Sequence, residues 1–343
     1  MDFIDWSISI KIQMIYLSIC ISIPSMALYI AEIVTIVRHK KFHNSFYALF
    51  VMRAIPDLLY VLTSFYGIRM PSIFGGVLYP IYSKFPNWML AMSLYIYAHT
   101  FQANNLVTAF ILLNRLTAII MPIKYNKIWL KFLPFITIFV YAVPTLSYWP
   151  MFKKNTTLRL NDPNSTTDFN FFVHEAGDAP YLNYIINIGA VFSAIFMIVC
   201  VLINICTFVS YKLHMKKVST NGSNSDDIKK KLLVYAIVTF LGHLLLASLY
   251  LIAVFTKMTG DTKITAATVT YYPLIMDTGT VVLSSWLLLW ASGTFRQQLI
   301  KDYTIICITN RTNILVGTIE GHRNNNNWAV RGAVGHHSLP TIS

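Results

Sequence analysis

Charge is what this sequence has least of. Only 12% of its 343 residues are Asp, Glu, Lys or Arg, about half the share of a soluble domain. Acids are scarcest, 14 against 27 Lys and Arg. Cysteine is rare as well. Cys20, Cys200 and Cys206 fall in apolar stretches and Cys307 in the tail, so no disulfide framework is indicated. Catalytic patterns are missing: no His-Glu-x-x-His zinc pattern, no phosphate-cradling glycine-rich loop, no Gly-x-Ser-x-Gly nucleophile turn. His99, His174 and His243 do not recur at ligand spacing on any one helix, and His336–His337 lie in a polar tail with Asn324–Asn327. No enzymatic activity, metal or cofactor is expected.

Apolar residues fill the space. They make up 55% of the chain, with a mean hydropathy of +0.55. Seven long stretches stand out, at 12–37, 44–66, 91–120, 132–149, 184–210, 231–255 and 271–292. Each is near the ~20 residues a helix needs to cross the hydrocarbon core of a bilayer. Backbone groups cannot be left open in lipid, so such stretches must be helical. Buried parallel strands also read as apolar runs, but they are short. The expected fold class is all-α: a polytopic seven-transmembrane helix bundle over residues 1–300, followed by a largely disordered cytoplasmic tail over 301–343. The first stretch is too long for the apolar core of a signal peptide and reads as the first span.

The net charge of +13 could suggest a nucleic-acid partner, but its distribution points to a membrane. Arg38, Lys40 and Lys41 follow the first stretch; Lys124, Lys127 and Lys131 follow the third; Lys212, Lys216, Lys217 and Lys229–Lys231 separate the fifth from the sixth; Arg296 and Lys301 follow the seventh. The alternate loops are poorer, with Arg69 and Lys84 after the second stretch, Lys153, Lys154 and Arg159 after the fourth, and Lys257 and Lys263 after the sixth. Basic loops stay on the cytoplasmic side, so the amino terminus is expected outside and the tail inside. Two glycosylation triplets, at Asn155 and Asn164, fall in the longest loop assigned to the exterior.

Polar side chains inside the stretches are the candidate functional residues, because each is costly in hydrocarbon. Arg53 and Asp57 lie four apart, on one helical face, as an intramembrane ion pair. Glu32 lies one turn from the cytoplasmic end of the first stretch. The third carries His99, Gln102, Asn104 and Asn105 in its outer half, either as contacts between helices or as pocket lining. His243 in the sixth and Asp277 in the seventh, with Tyr271 and Tyr272 at the outer mouth, complete a possible ligand site. Asp277 is expected to contact a ligand or to pair with His99 or Gln102. At the inner end of the third stretch, Asn114-Arg115-Leu116 precedes Met121-Pro122-Ile123-Lys124-Tyr125; Arg115 there is either an anchor or a switch. Prolines at 24, 56, 134, 144 and 273 imply local breaks or kinks.

The segment from Phe101 to Tyr125, running on to Ile128-Trp129, resembles the third-helix signature of nematode serpentine receptors of class gamma. Ile23–Glu32 and Asn44–Phe50 resemble the same family, and the likeness extends over the seven-helix body. It implies a chemosensory G-protein-coupled receptor in the plasma membrane, and points to sensory cilia. For such a receptor, the polar residues His99, Gln102, Asn105, His243, Tyr272 and Asp277 singled out above are the ones expected to bind a small-molecule ligand. Asn114, Arg115, Lys124 and Tyr125 would serve coupling to a heterotrimeric G protein. Two departures from rhodopsin-like receptors matter. Asn114 cannot supply the acidic partner usually found beside this arginine, and no cysteine stands near the outer start of the third helix. The rival reading is a seven-span ligand-gated channel or transporter, which would show internal repeats or a polar track; the two halves show no repeat.

Overall fold

The computed structural model of the chain describes residues 9–153, 155–160, 171–175, 180–218, 224–259 and 262–304. Among these residues are seven helices long and apolar enough to cross a membrane. Helix α1 is Lys11–Arg38. Helix α2 runs Ser45–Ser64, widens into a π turn at Phe65–Arg69 and ends at Ile73. Helix α3 is Asn87–Ile120 and α4 is Tyr125–Tyr148. Helix α5 is Pro180–Val218 and α6 is Asn224–Thr259. Helix α7 runs Thr262–Asp277, passes a second π turn at Thr278–Val282 and continues over Leu283–Ala291.

The sequence contains the reasons for several of these limits. Asn44 caps α2, its side-chain oxygen accepting from the backbone N–H groups of Phe46 and Tyr47 at 3.1 and 3.2 Å, donors that the helix itself leaves unpaired. Helices α1, α2, α4 and α7 continue past their internal prolines. The irregular turns lie elsewhere, at the two π segments. Helices α2 and α3 are central, with 56% of each span buried, against 22% for α4 and 17% for α5.

Side-chain contacts define the two ends of the bundle. At one end Ser45, Asn114 and Asn126 are hydrogen-bonded, Trp129 donates to Thr117, and Tyr47 meets Ser292. Lys40, Lys41, Lys124 and Lys127 are here, and this is called the basic end below. At the other end, the connection between α4 and α5 carries an unexpected hairpin, β1 (Thr156–Leu160) paired antiparallel with β2 (Phe171–Glu175). Alternation along the strands puts Leu158, Leu160, Phe171 and Val173 on one face. That face packs on Tyr79 and Tyr82 of the short helix Gly75–Tyr82 and on Leu90 of α3. Thr156 is tied to Asn87 at the start of α3. Asn155 is exposed beside β1, while Asn164 lies outside the described residues.

A separate compact unit begins at Thr294. Its described part is helical, with Gln298 donating to Asp302 at 2.8 Å. Residues 305–343, most of the expected tail, lie outside the described residues.

Candidate functional site: a buried polar core

The core-facing residues of α2 recur at Phe46, Phe50, Arg53, Asp57, Tyr60 and Ser64, all buried. Steps of three and four residues keep one helical face toward the core. Arg53 and Asp57 are carried inside on this stripe, with Arg53 Nε 3.4 Å from Asp57 Oδ2. Tyr29 of α1 donates to the same carboxylate oxygen at 3.0 Å. Arg53 Nη2 reaches across the bundle to His243 Nε2 of α6 at 2.7 Å, and toward the Gly279 carbonyl of α7 at 3.4 Å. A guanidinium only donates, so His243 Nε2 must accept and the ring proton must sit on Nδ1. One arginine, with its carboxylate partner, thus links α1, α2, α6 and α7.

The reach is short because α6 and α7 touch through glycine. A Cβ built on Gly242 would stand 3.1 Å from Gly279 Cα and 2.8 Å from Leu283 Cδ1; one on Gly279 would stand 3.0 Å from the Gly242 carbonyl oxygen. Only glycine at both positions allows this approach. Gly279 lies within the π turn of α7, next to the arginine it meets.

Nearer the hairpin end, Arg69 Nη2 donates to Asp277 Oδ2 at 2.6 Å and Arg69 Nη1 donates to Ser22 at 3.1 Å. Both charged side chains are fully buried. Read from sequence, Arg69 belonged to an exterior loop; it is instead a core residue of α2. The physical reason is the π turn. In α geometry Arg69 would be rotated about 140° from Ser64, off the core stripe. With an i→i+5 repeat it comes roughly back into line and faces α7. The continued apolar run Phe65-Tyr66-Gly67-Ile68 was the available sign that the helix does not stop at residue 66.

Asp277 therefore does not meet His99 or Gln102. His99 faces α4, within 3.3 Å of the Tyr141 carbonyl and 3.2 Å of Thr145 Oγ1. Gln102 is buried on α3 with its carbonyl oxygen unpaired. Tyr272 joins Tyr60 and Tyr97 in an aromatic cluster, with Tyr97 stacked on Tyr272 at 5.7 Å between centroids. Asn105 and His243 do come together, lining a small, narrow crevice between α3, α5 and α6.

At the basic end, Asn114 donates to Ser45 Oγ at 3.0 Å. The Arg115 guanidinium lies over the Phe46 ring, 3.6 Å from its centroid, a cation–π contact of about 2 kcal/mol when desolvated. Phe46 in turn packs edge-on against Tyr235 of α6 at 5.5 Å. Tyr125 is an electrostatic neighbour of Arg115, while Lys124 is exposed. Glu32 is fully buried, and neither of its oxygens has a hydrogen-bond partner among the described residues. Tyr47 and Tyr235 are each electrostatic neighbours of both Glu32 and Arg115. Among the described residues, no three His, Cys, Asp or Glu side chains gather to hold a metal.

Seven apolar helices around a buried ionic core define a polytopic membrane protein of the seven-span receptor type. The family described as Srg family chemoreceptor matches residues 10–299, and this chain belongs to it. Similar proteins include serpentine receptor class gamma-5 of Caenorhabditis elegans, 29% identical over 121 residues, 33% of this chain and 36% of that one. Serpentine receptor class gamma-9 of the same organism is 29% identical over 134 residues, covering 37% and 39% of the two chains. Serpentine receptor class gamma-16 is 30% identical over 135 residues, covering 37% and 41%. These matches span well under half the length of each relative.

Proposed function

We propose that this protein is a non-enzymatic chemosensory receptor of the plasma membrane, passing an extracellular small-molecule signal to a cytoplasmic heterotrimeric G protein. The observation that carries the reading is the Arg53 junction, where Asp57, Tyr29, His243 and Gly279 tie four helices together. Signalling across a membrane needs two helix arrangements that a ligand binds unequally. A junction that holds α6 and α7 on α2 through hydrogen bonds is a contact such a transition would break or make. The basic end supplies the output surface, with Arg115 stacked on Phe46, which also touches Tyr235 of α6. The orientation required has the hairpin end outside, as the distribution of Lys and Arg over the loops demands.

The test is expression of the full chain in cells, with second-messenger readout against a panel of small volatile and water-soluble compounds. A compound-evoked, G-protein-dependent response is expected. Arg115→Ala should reduce it several-fold while surface receptor stays near normal. Compound-evoked ion current without G-protein dependence would overturn the reading in favour of a channel. Loss of surface expression with normal signalling per receptor would make Arg115 an anchor instead.

A further inference from the structure

The connection between α2 and α3 has its polarity reversed. From Met70 to Ser83 it contains no charged residue, and its centre is the short helix Gly75–Tyr82. At about 100° per residue, Phe74, Gly76, Val77, Pro80 and Ile81 share one side. All five are exposed, Val77 to 71%. The other side, with Leu78, Tyr79 and Tyr82, packs on the hairpin and Leu90. The polar group of Tyr82 is on that inner side, its hydroxyl donating to the Tyr66 carbonyl at 2.9 Å. A helix with water outside it has the opposite pattern, apolar side chains inward and polar ones outward. An outward face without one polar side chain calls for an apolar neighbour.

Position along the bundle says which neighbour. The span Ser45–Ile73 has 29 residues, about 43 Å at 1.5 Å per residue, the thickness of a bilayer with its headgroups. The short helix therefore starts at the headgroup boundary, not in open water. Met70, one turn before Phe74, is exposed too, as are Leu59 and Leu62 further back along α2, so the apolar face continues the outer surface of that span. Trp88 at the start of α3 and Trp149 just past α4 are both about half exposed at this end, with Lys153 Nζ 4.9 Å from the Trp149 ring centroid. Aromatic rings and snorkelling lysines mark the level of a membrane interface. We propose that Gly75–Tyr82 is an interfacial helix, seated by Phe74, Val77 and Ile81 among the upper acyl chains of the leaflet at the hairpin end. Its partner is lipid, taken up by area and without a specific headgroup. The hairpin packs on the opposite face, so the bilayer holds the hairpin in place through this helix. The assignment needs only that the seven helices span a membrane; it does not depend on ligand binding or G-protein coupling.

The experiment uses the full chain in phosphatidylcholine nanodiscs, with the photocrosslinker p-benzoylphenylalanine in place of Val77. After irradiation and digestion, mass spectrometry identifies what the peptide carrying the probe has captured. A phosphatidylcholine adduct is expected, several-fold more abundant than with the same probe in place of Thr157, which is exposed on the hairpin. Capture chiefly of protein, whether this chain, a second copy or another, overturns the lipid seat. So does a lipid yield no higher than at Thr157, which would mean that the face meets water. The hold on the hairpin is read separately, by hydrogen exchange in the same nanodiscs. Val77→Asp places a charge in the seat and should speed exchange of the Thr156–Leu160 and Phe171–Glu175 amides several-fold, whereas Val77→Leu should leave it unchanged. Equal exchange in the aspartate variant and the parent overturns the anchoring of the hairpin, and equal acceleration by leucine and aspartate would trace the effect to packing and overturn it as well. A receptor that fails to signal while Val77 captures lipid leaves the seat intact and counts against the signalling reading alone.

Discussion

Near the hairpin end Arg69 and Asp277 meet at 2.6 Å, with Ser22 completing the contact. Toward the basic end, Glu32 and Arg115 are both buried and neither has an ion pair among the described residues. The two regions carry the same kinds of charge at similar burial, yet only one neutralises them locally. Removing either member of the hairpin-end pair would leave an uncompensated charge in a dry interior, so α2, α7 and α1 depend on both members being present. Glu32 and Arg115 contribute no such ion pair. Arg115 rests on an aromatic face that a movement of α6 would disturb through Tyr235. The ion-paired half of the polar core thus lies at the hairpin end and the unpaired half at the basic end.

The sharpest way to break this comparison is Asp277→Asn. It strands Arg69, and a loss of about 3–5 kcal/mol is expected, read as depleted surface receptor and a lowered thermal midpoint in detergent. The double change Arg69→Met with Asp277→Leu should recover most of that loss, because it removes both charges. A single variant as stable as the parent would show that the pair does not hold the bundle. Next in size is Gly242→Ala. Its methyl group would lie 3.1 Å from the Gly279 backbone, so α6 and α7 must separate, at about 1–3 kcal/mol. A midpoint unchanged by this substitution would mean that the helices part easily and that the Arg53 junction needs no glycine contact.

Smaller effects test the basic end. Asn114→Ala removes one buried hydrogen bond to Ser45 and should cost about 1 kcal/mol, measured as a modest midpoint shift with surface expression preserved. Glu32→Gln should change stability least, within about 1 kcal/mol in either direction, since neither an ion pair nor a hydrogen bond of its carboxyl is lost and the shape is kept. If Glu32→Gln were instead as damaging as Asp277→Asn, Glu32 would have a partner of its own, and the contrast between the two ends would collapse.

The number of spans, their helical state and the presence of Arg53 and Asp57 on one core-facing side were determined by the sequence alone. Hydropathy dictates the first because lipid offers no partner to an open backbone group. Helical periodicity dictates the last because a four-residue step stays on one face. The tertiary structure alone decided which polar groups meet. Arg69 finds Asp277 across 208 positions and Arg53 finds His243 across 190, distances over which periodicity is silent. Asp277 was recognisable as exceptional on its apolar span, but its partner was hidden, because Arg69 reaches the core only through a π turn that no residue pattern marks. His99 and Asn105, equally polar and two turns of α3 apart, were indistinguishable until packing placed one against α4 and the other in a crevice with His243. A span's composition is a local property, whereas the direction each side chain faces depends on how its neighbours pack.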